Sequence, residues 1–354
     1  KMKGYITDII FENAADFIAK NVKNNQASFT YISTNAPHAP YHDVPEALLK
    51  KYQGKDVAST LIREKDKNNK KIVDNTARVY AMIENIDDNV GKLFQRLKDI
   101  DAFEHSLVFF LNDNGPNTLR YVGDASKKKT DIEEGGIRSP LLAHWPERLK
   151  AGTVNDRIAA HYDLFPTILN AAGVALPDHK IDGVNILPLL ENQSENSPEA
   201  VIENWPDRKL YLQWHRGASA HLNEHAAVIG QTYKMSYVRK TGIARLHNLL
   251  NDPSESNDIA KQQPTILAEF VADYQSWFKD VGATRDDNYA APKIHVGNEA
   301  ETRTLLTRQD WINLEGTPYG WNPKNTIGNW PVVFDRSGSY NFTIYPHRTT
   351  SDQP

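Results

Sequence analysis

The segment from Val79 to Leu97 constrains the fold most. Val79, Met82, Ile83, Ile86, Val90, Leu93, Phe94 and Leu97 recur at steps of three and four, which is one apolar face of a long α-helix. Soon after it comes Leu107–Leu111, "LVFFL", an unbroken apolar run of the kind a strand covered on both faces requires. Before it, Ala27–Thr34, "ASFTYIST", reads as another strand, and Phe11–Asn21 has helical spacing. Strand, long helix, strand predicts a βαβ crossover. Leu107–Leu111 is then a central strand parallel to Ala27–Thr34, in a parallel-rich α/β sheet flanked by helices.

The pattern continues with Pro140–Trp145 as a strand and "YDLFPTILNAAG" as a helix, with Asp163 as its cap, Pro166 in its first turn and Gly173 just past its end. After the polar stretch Asn192–Ala200 the texture changes. "KLYLQWH", "HAAVIG", "YKMSYV" and "ARLHNLL" are short β-like runs, followed by a helix near Thr265–Val281. That order predicts a small antiparallel sheet packed by a terminal helix. Near the end, "NWPVVFDRSGSYNFTIY" alternates like a hairpin turning at "RSGS". The expected units are residues 1–195, the α/β part; 196–285, the small sheet with its helix; and 286–354, a β-rich tail.

Bulk properties exclude several classes. A net charge of −4 lacks the basic excess of a nucleic-acid binder. No apolar run approaches the ~20 residues of a membrane-spanning helix, so no membrane insertion is expected. Cysteine is absent, which removes disulfides, thiolate metal sites and a cysteine nucleophile from these 354 residues.

Chemistry enters where "LVFFL" runs into Asp113, Asn114 and Gly115. The carboxyl end of a parallel strand is where open α/β sheets bind ligands. A carboxylate beside an amide oxygen suits a hard cation, whereas the same residues also make an ordinary Asx turn. "KKKTDIEEGGIRSP" follows, either a solvated charge run or a loop whose inward lysine holds an oxyanion. His38 lies in "NAPHAP", where flanking prolines stiffen the backbone. A fixed imidazole there can protonate a leaving group, and a surface loop histidine is the alternative.

"PHAP", "DNG", "KTDIEEGGIRSPLLAHWP", "HYDLFPTILNAAGV" with "DGVNILPLL", and "LHNLLNDPSESNDIA" occur together in this chain. The set resembles the C-terminal portion of a formylglycine-dependent (type I) sulfatase of the alkaline-phosphatase superfamily. The resemblance implies an alkaline-phosphatase-like fold and hydrolysis of sulfate esters, of a sulfated carbohydrate or an aryl sulfate. It implies that Asp113 and Asn114 are ligands of one Ca2+, that Lys129 contacts the sulfate, and that His38 contacts the sulfate or the bridging oxygen. His215 and Arg216 of "YLQWHRG" match a segment that faces the substrate pocket in relatives; packing and ion pairing in the small sheet are the alternative. The family also implies a periplasmic or secreted location.

One departure is large. The Cys-or-Ser-x-Pro-x-Arg signature that yields formylglycine does not occur here, nor do the paired aspartates that complete the calcium site. The chain is therefore expected to lack the N-terminal half of the enzyme and to be inactive alone. A phosphatase or phosphodiesterase of the same superfamily, and an inactive sugar-binding module, are the competing readings.

Overall fold

The computed structural model describes residues 3–191, 205, 207–215, 220–238, 241–284, 292–307, 310, 312–313 and 328–345. The long helix of the sequence reading is α4 (Lys70–Asp99). It opens on Asn69, whose side-chain oxygen accepts from the backbone N–H of Lys71 and Ile72 at 3.1 and 3.3 Å. Two helices lie against it. α1 (Ile6–Lys23) joins Phe11 to Leu93 and Leu97, with Ala15, Ile18, Ile32 and Val90 around them. α2 (Glu46–Gln53) brings Leu48, Leu49 and Tyr52 against Ala81, Met82 and Ile86. Full burial of each large apolar side chain contributes about 1.5–3 kcal/mol, so the spaced apolar face of α4 organises this part of the molecule.

Two amides share that buried face. Asn85 and Asn89 donate to Asp8 Oδ1 at 2.9 and 2.7 Å, so their polar atoms enter the interior already paired. Ile83, counted with the apolar face in the sequence, is instead 44% exposed. A one-turn helix α3 (Glu64–Lys67) precedes α4.

After α4 comes β1 (Val108–Leu111), then a one-turn helix α5 (Glu134–Ile137) and β2 (Leu141–His144). β1 and β2 pair antiparallel, with Phe110 opposite Leu142. The expected parallel partnership with Ala27–Thr34 is not formed. Residues 27–34 carry no ladder; Ile32 packs against the α1–α4 interior while Phe29 and Tyr31 point outward at 69% and 80% exposure. The physical reason for the antiparallel pair is that the chain returns to β1 through a loop and α5 rather than through a full crossover helix. Phe110 and Leu142 share one face of this ribbon and are 40% and 62% exposed.

α6 (Leu164–Ala171) follows, then α7 (Leu187–Glu191). The sequence predicts Asp163 as the cap of α6, but its side chain caps none of the helix N–H groups. Pro166 has no N–H to offer, and the Asp163 carboxylate turns to Ala160 N–H (2.7 Å), Val184 N–H (2.9 Å) and Arg208 Nη1 (2.8 Å).

The small sheet is as the sequence predicts. β3 (Leu210–Gln213), β4 (Ala226–Ile229), β5 (Tyr233–Tyr237) and β6 (Ala244–Asn248) form a four-stranded antiparallel meander in chain order. α8 (Pro264–Gly282) lies on one face, where Val228, Met235, Tyr237 and Leu246 meet Phe270 and Tyr274. Alternation along β5 and β6 sends Lys234, Ser236 and His247 to the other face. Tyr274 is fully buried, and among the described residues its hydroxyl has no hydrogen-bond partner. Burial holds that hydroxyl far above its ordinary pKa. Tyr274→Phe is therefore expected to stabilise the chain, by about 1 kcal/mol, since an unpaired buried hydroxyl retains its desolvation penalty. Urea unfolding of the two proteins checks this.

The turn after β6 is closed by Asp252. Its carboxylate takes Asn257 N–H (2.8 Å), Ser256 N–H (3.1 Å), Ser254 Oγ (2.9 Å) and Ser256 Oγ (2.9 Å). Partial burial pushes its pKa up, but these hydrogen bonds outweigh it and bring the value from 3.8 to about 2. The ionised form is the one favoured by folding. Its contribution is complete above 3.8 and is lost as pH falls toward 2. Asp252→Asn is expected to flatten the acid limb of the stability curve across that window, measured by chemical unfolding at stepped pH.

In the last part of the chain, β7 (Ile294–Val296) pairs in parallel with β10 (Val332–Phe334), and β8 (Ile312–Asn313) pairs with β9 (Gly328–Asn329). The hairpin expected at "RSGS" is not formed. Asp335 turns instead to His295 Nδ1 (2.6 Å) and Asn298 Nδ2 (3.2 Å), which draws β10 onto β7. No described helix is long and apolar enough to cross a membrane.

Candidate active site

The site is built at the end of β1. Asn112 N–H donates to Ser139 Oγ at 3.0 Å, and His161 Nε2 donates to Asn112 O at 2.8 Å. These two side chains fix the strand end from which Asp113 and Asn114 emerge. Neither residue was singled out from the sequence; a serine and a histidine carry no spacing signal for such a role. Asp113 is exposed and Asn114 half-buried. No hydrogen bond or ion pair engages either side chain among the described residues.

Immediately beyond, three backbone segments lie against one another. Gly115 N–H donates to Gly136 O (2.8 Å), Gly135 N–H to Ser126 O (2.7 Å) and Lys129 N–H to Pro116 O (2.9 Å). A Cβ on Gly115 would fall 1.9 Å from Gly135 O, one on Gly135 2.2 Å from Ser126 O, and one on Gly136 2.3 Å from Asp131 O. Close backbone approach, not a left-handed conformation, is why glycine stands at all three positions. The "DNG" loop and the "KKKTDIEEGG" loop are thus one unit, and Lys129 joins Asp113 and Asn114 at the same strand end.

The three lysines differ in their surroundings. Lys127 is exposed with φ +72°, and Lys128 Nζ donates to Asn117 O at 3.1 Å. Lys129 is half-buried, and among the described residues its ammonium has no partner. Thr130, next to it, has φ +76°, a left-handed conformation that is strained for a β-branched residue. The reversals at Lys127 and Thr130 hold Lys128 and Lys129 between them.

His38 is exposed, with its N–H on Asn35 O (2.8 Å) and Nδ1 donating to Ala39 O (2.6 Å). That bond leaves Nε2 as the ring's outward atom. Among the described residues no hydrogen bond or ion pair joins His38 to the Asp113–Lys129 unit. His215 is exposed just beyond β3 and is not joined to it either; Arg216 lies outside the described residues.

Asp113 and Asn114 offer oxygen donors only, the set a hard cation takes, and both side chains are open for it. Among the described residues no group of three or more acidic, histidine or cysteine side chains is arranged so that it could hold a metal ion. The pair therefore fits part of an oxygen-ligand site, with further ligands to be supplied.

Comparison with known proteins identifies a family. The family profile described as sulfatase matches residues 1–174, and that described as N-sulphoglucosamine sulphohydrolase, C-terminal, matches residues 127–275. The N-acetylgalactosamine-6-sulfatase of Canis lupus familiaris is 31% identical over 192 residues, covering 52% of this chain and 32% of that protein. The ulvan-active sulfatase of Formosa agariphila is 24% identical over 361 residues, covering 85% of this chain and 65% of that one. The crystal structure of Ps i-CgsB in complex with k-i-k-neocarrahexaose has 28% identity and a TM-score of 0.63, covering 78% of this chain and 55% of that one. The chain thus spans from about a third to two thirds of the length of these relatives. The neighbours carry the alkaline-phosphatase-like fold expected from the sequence. On these matches the chain belongs to the sulfatases of the alkaline-phosphatase superfamily.

Proposed function

We propose that this chain is the C-terminal portion of a sulfatase that hydrolyses sulfate esters of a carbohydrate. The observation that carries the reading is the backbone unit joining Asp113 and Asn114 to Lys129 through Gly115, Pro116, Gly135 and Gly136. It holds the backbone of the Lys129 loop against the chain just after Asp113 and Asn114, and among the described residues the Lys129 ammonium has no partner. Lys129 would neutralise the sulfate oxygens as charge develops on them. As the imidazolium, with Nδ1–H held on Ala39 O, His38 would give its Nε2 proton to the departing alcohol oxygen and be left as the neutral ring. Asp113 and Asn114 would be two of the ligands of a calcium ion, which when bound supplies further positive charge to the sulfate. His215 and Arg216 would meet the sugar. The names of the galactosamine-6-sulfatase and ulvan-active relatives support a sulfated carbohydrate as substrate. A periplasmic or secreted location accords with such a polymer.

The nucleophile, formylglycine in sulfatases of this type, and the remaining calcium ligands would come from a preceding N-terminal half. The surface of β1 supports this. Among the described residues its second edge has no ladder partner, and Phe110 and Leu142 stand out on one face. Asn114 argues against the two-zinc phosphatase reading, because zinc at that position favours imidazole nitrogen.

The test compares residues 1–354 with the full-length protein on an aryl sulfate, sulfated oligosaccharides and a phosphate monoester. Turnover of the sulfates by the full-length protein alone is expected. Turnover by residues 1–354 would overturn the portion reading, and preference for the phosphate monoester would overturn the sulfatase reading.

A further inference from the structure

The Lys129 loop is tethered at its far end to the small antiparallel sheet. Lys234 on β5 is fully buried, with Nζ 3.1 Å from Glu134 Oε1 and 2.9 Å from Glu255 Oε1. The other oxygen of Glu255 accepts the Glu134 backbone N–H at 2.6 Å. Glu134 thus engages the small sheet and the turn after β6 at once, through side chain and backbone. It is also the first residue of α5, so Gly135 and Gly136, which pack directly on Ser126, Asp131 and Gly115, follow it in the chain. Those contacts are backbone on backbone, with no side chain to absorb a displacement.

We propose that Glu134, Lys234 and Glu255 are positioning residues, which transmit the position of the small sheet to Lys129 and Asn114 and so set the geometry of the candidate sulfate site. The assignment of Lys129 and Asn114 to that site rests on the function proposed above; the tether itself does not. Two carboxylates share one ammonium inside the protein, a costly arrangement for simply joining two units. Burial pushes the Glu255 carboxyl up in spite of Lys234, and the nearby Glu134 carboxylate adds to that push. An apolar contact would join the units at lower cost, but it would not fix Glu134 in direction.

The experiment is hydrogen exchange by mass spectrometry on residues 1–354, followed by kinetics on the full-length protein. Glu134→Ala removes the side-chain tether and leaves the Lys234–Glu255 pair in place. Exchange in peptides spanning residues 112–138 is expected to rise at least tenfold, while peptides from β3–β6 and α8 stay within twofold. Glu134→Gln keeps an oxygen for Lys234 and is expected to restore protection to within threefold of wild type. In the full-length enzyme the same Ala variant is expected to lower kcat at least tenfold with KM within threefold, and Gln to recover most of it. Lys234→Met is the second variant, expected to loosen the same peptides. Unchanged exchange at 112–138 in Glu134→Ala, an equal rise throughout the sheet, or no recovery by Gln would each overturn the proposal. If the wild-type full-length protein turns over no sulfate ester, the proposed function fails while the exchange data still decide the tether.

Discussion

In the longer enzyme proposed above, Lys129→Ala is expected to lower turnover of a sulfate ester by two to three orders of magnitude while leaving the thermal midpoint nearly unchanged. Losing one preorganised charge contact to the transition state costs about 3–4 kcal/mol. The role proposed for Lys129 draws on a backbone fixed on Pro116 O and an ammonium with no partner among the described residues. Its removal therefore breaks no hydrogen bond or ion pair among the described residues. Lys128→Ala is the control. That ammonium is engaged with Asn117 O, and its loss is expected to change turnover by less than fivefold. Steady-state kinetics of the two variants separates them, and equal losses would remove Lys129 from its assigned role.

The largest expected effect on stability is at Asp163. The carboxylate is fully buried and accepts three hydrogen bonds, from the backbones of Ala160 and Val184 and from Arg208, itself only 11% exposed. Asp163→Ala would leave a guanidinium and two N–H groups without their partner. Breaking a buried ion pair from one side typically costs about 3–5 kcal/mol, a large share of a domain's roughly 5–15 kcal/mol. Urea unfolding of residues 1–354 should show the midpoint falling accordingly. Asp163→Asn keeps one acceptor oxygen and should lose clearly less. A midpoint within 1 kcal/mol of wild type for the alanine variant would show that Arg208 finds a substitute partner.

Much of this architecture is legible in the residues, and the failures are physically specific. The apolar spacing of α4 and the four β-like runs before α8 report directly on burial, and they appear where the pattern places them. Strand pairing is different. Residues 27–34 have the composition of a strand, but composition does not say whether a neighbour is present to pair with. Asp163 has the position of a cap, but Pro166 removes the N–H at the third helical position, and its carboxylate is taken by Ala160, Val184 and Arg208. The candidate site divides the same way. Asp113, Asn114 and Lys129 are marked by glycines whose need for close backbone approach is readable once the loops are seen together. Ser139 and His161, which fix the strand end, and Lys234, which reaches Glu134 across 100 positions, carry no local signal at all.

The order of strands in the small sheet has a consequence for how the protein reaches its native state. β3 to β6 pair with their sequence neighbours, and α8 follows directly, so this unit is rich in local contacts and should form quickly. Glu134 meets Lys234 and Glu255 only by closing loops of 100 and 121 positions. The sheet should therefore assemble first and hold a buried lysine and glutamate in waiting, with the Lys129 loop docking in a later, slower phase. In refolding experiments the fluorescence of Trp277, stacked on Tyr211 at 5.3 Å, should recover before amides in residues 126–136 become protected. A sulfatase of this build would spend the last step of its maturation acquiring its chemistry rather than its shape.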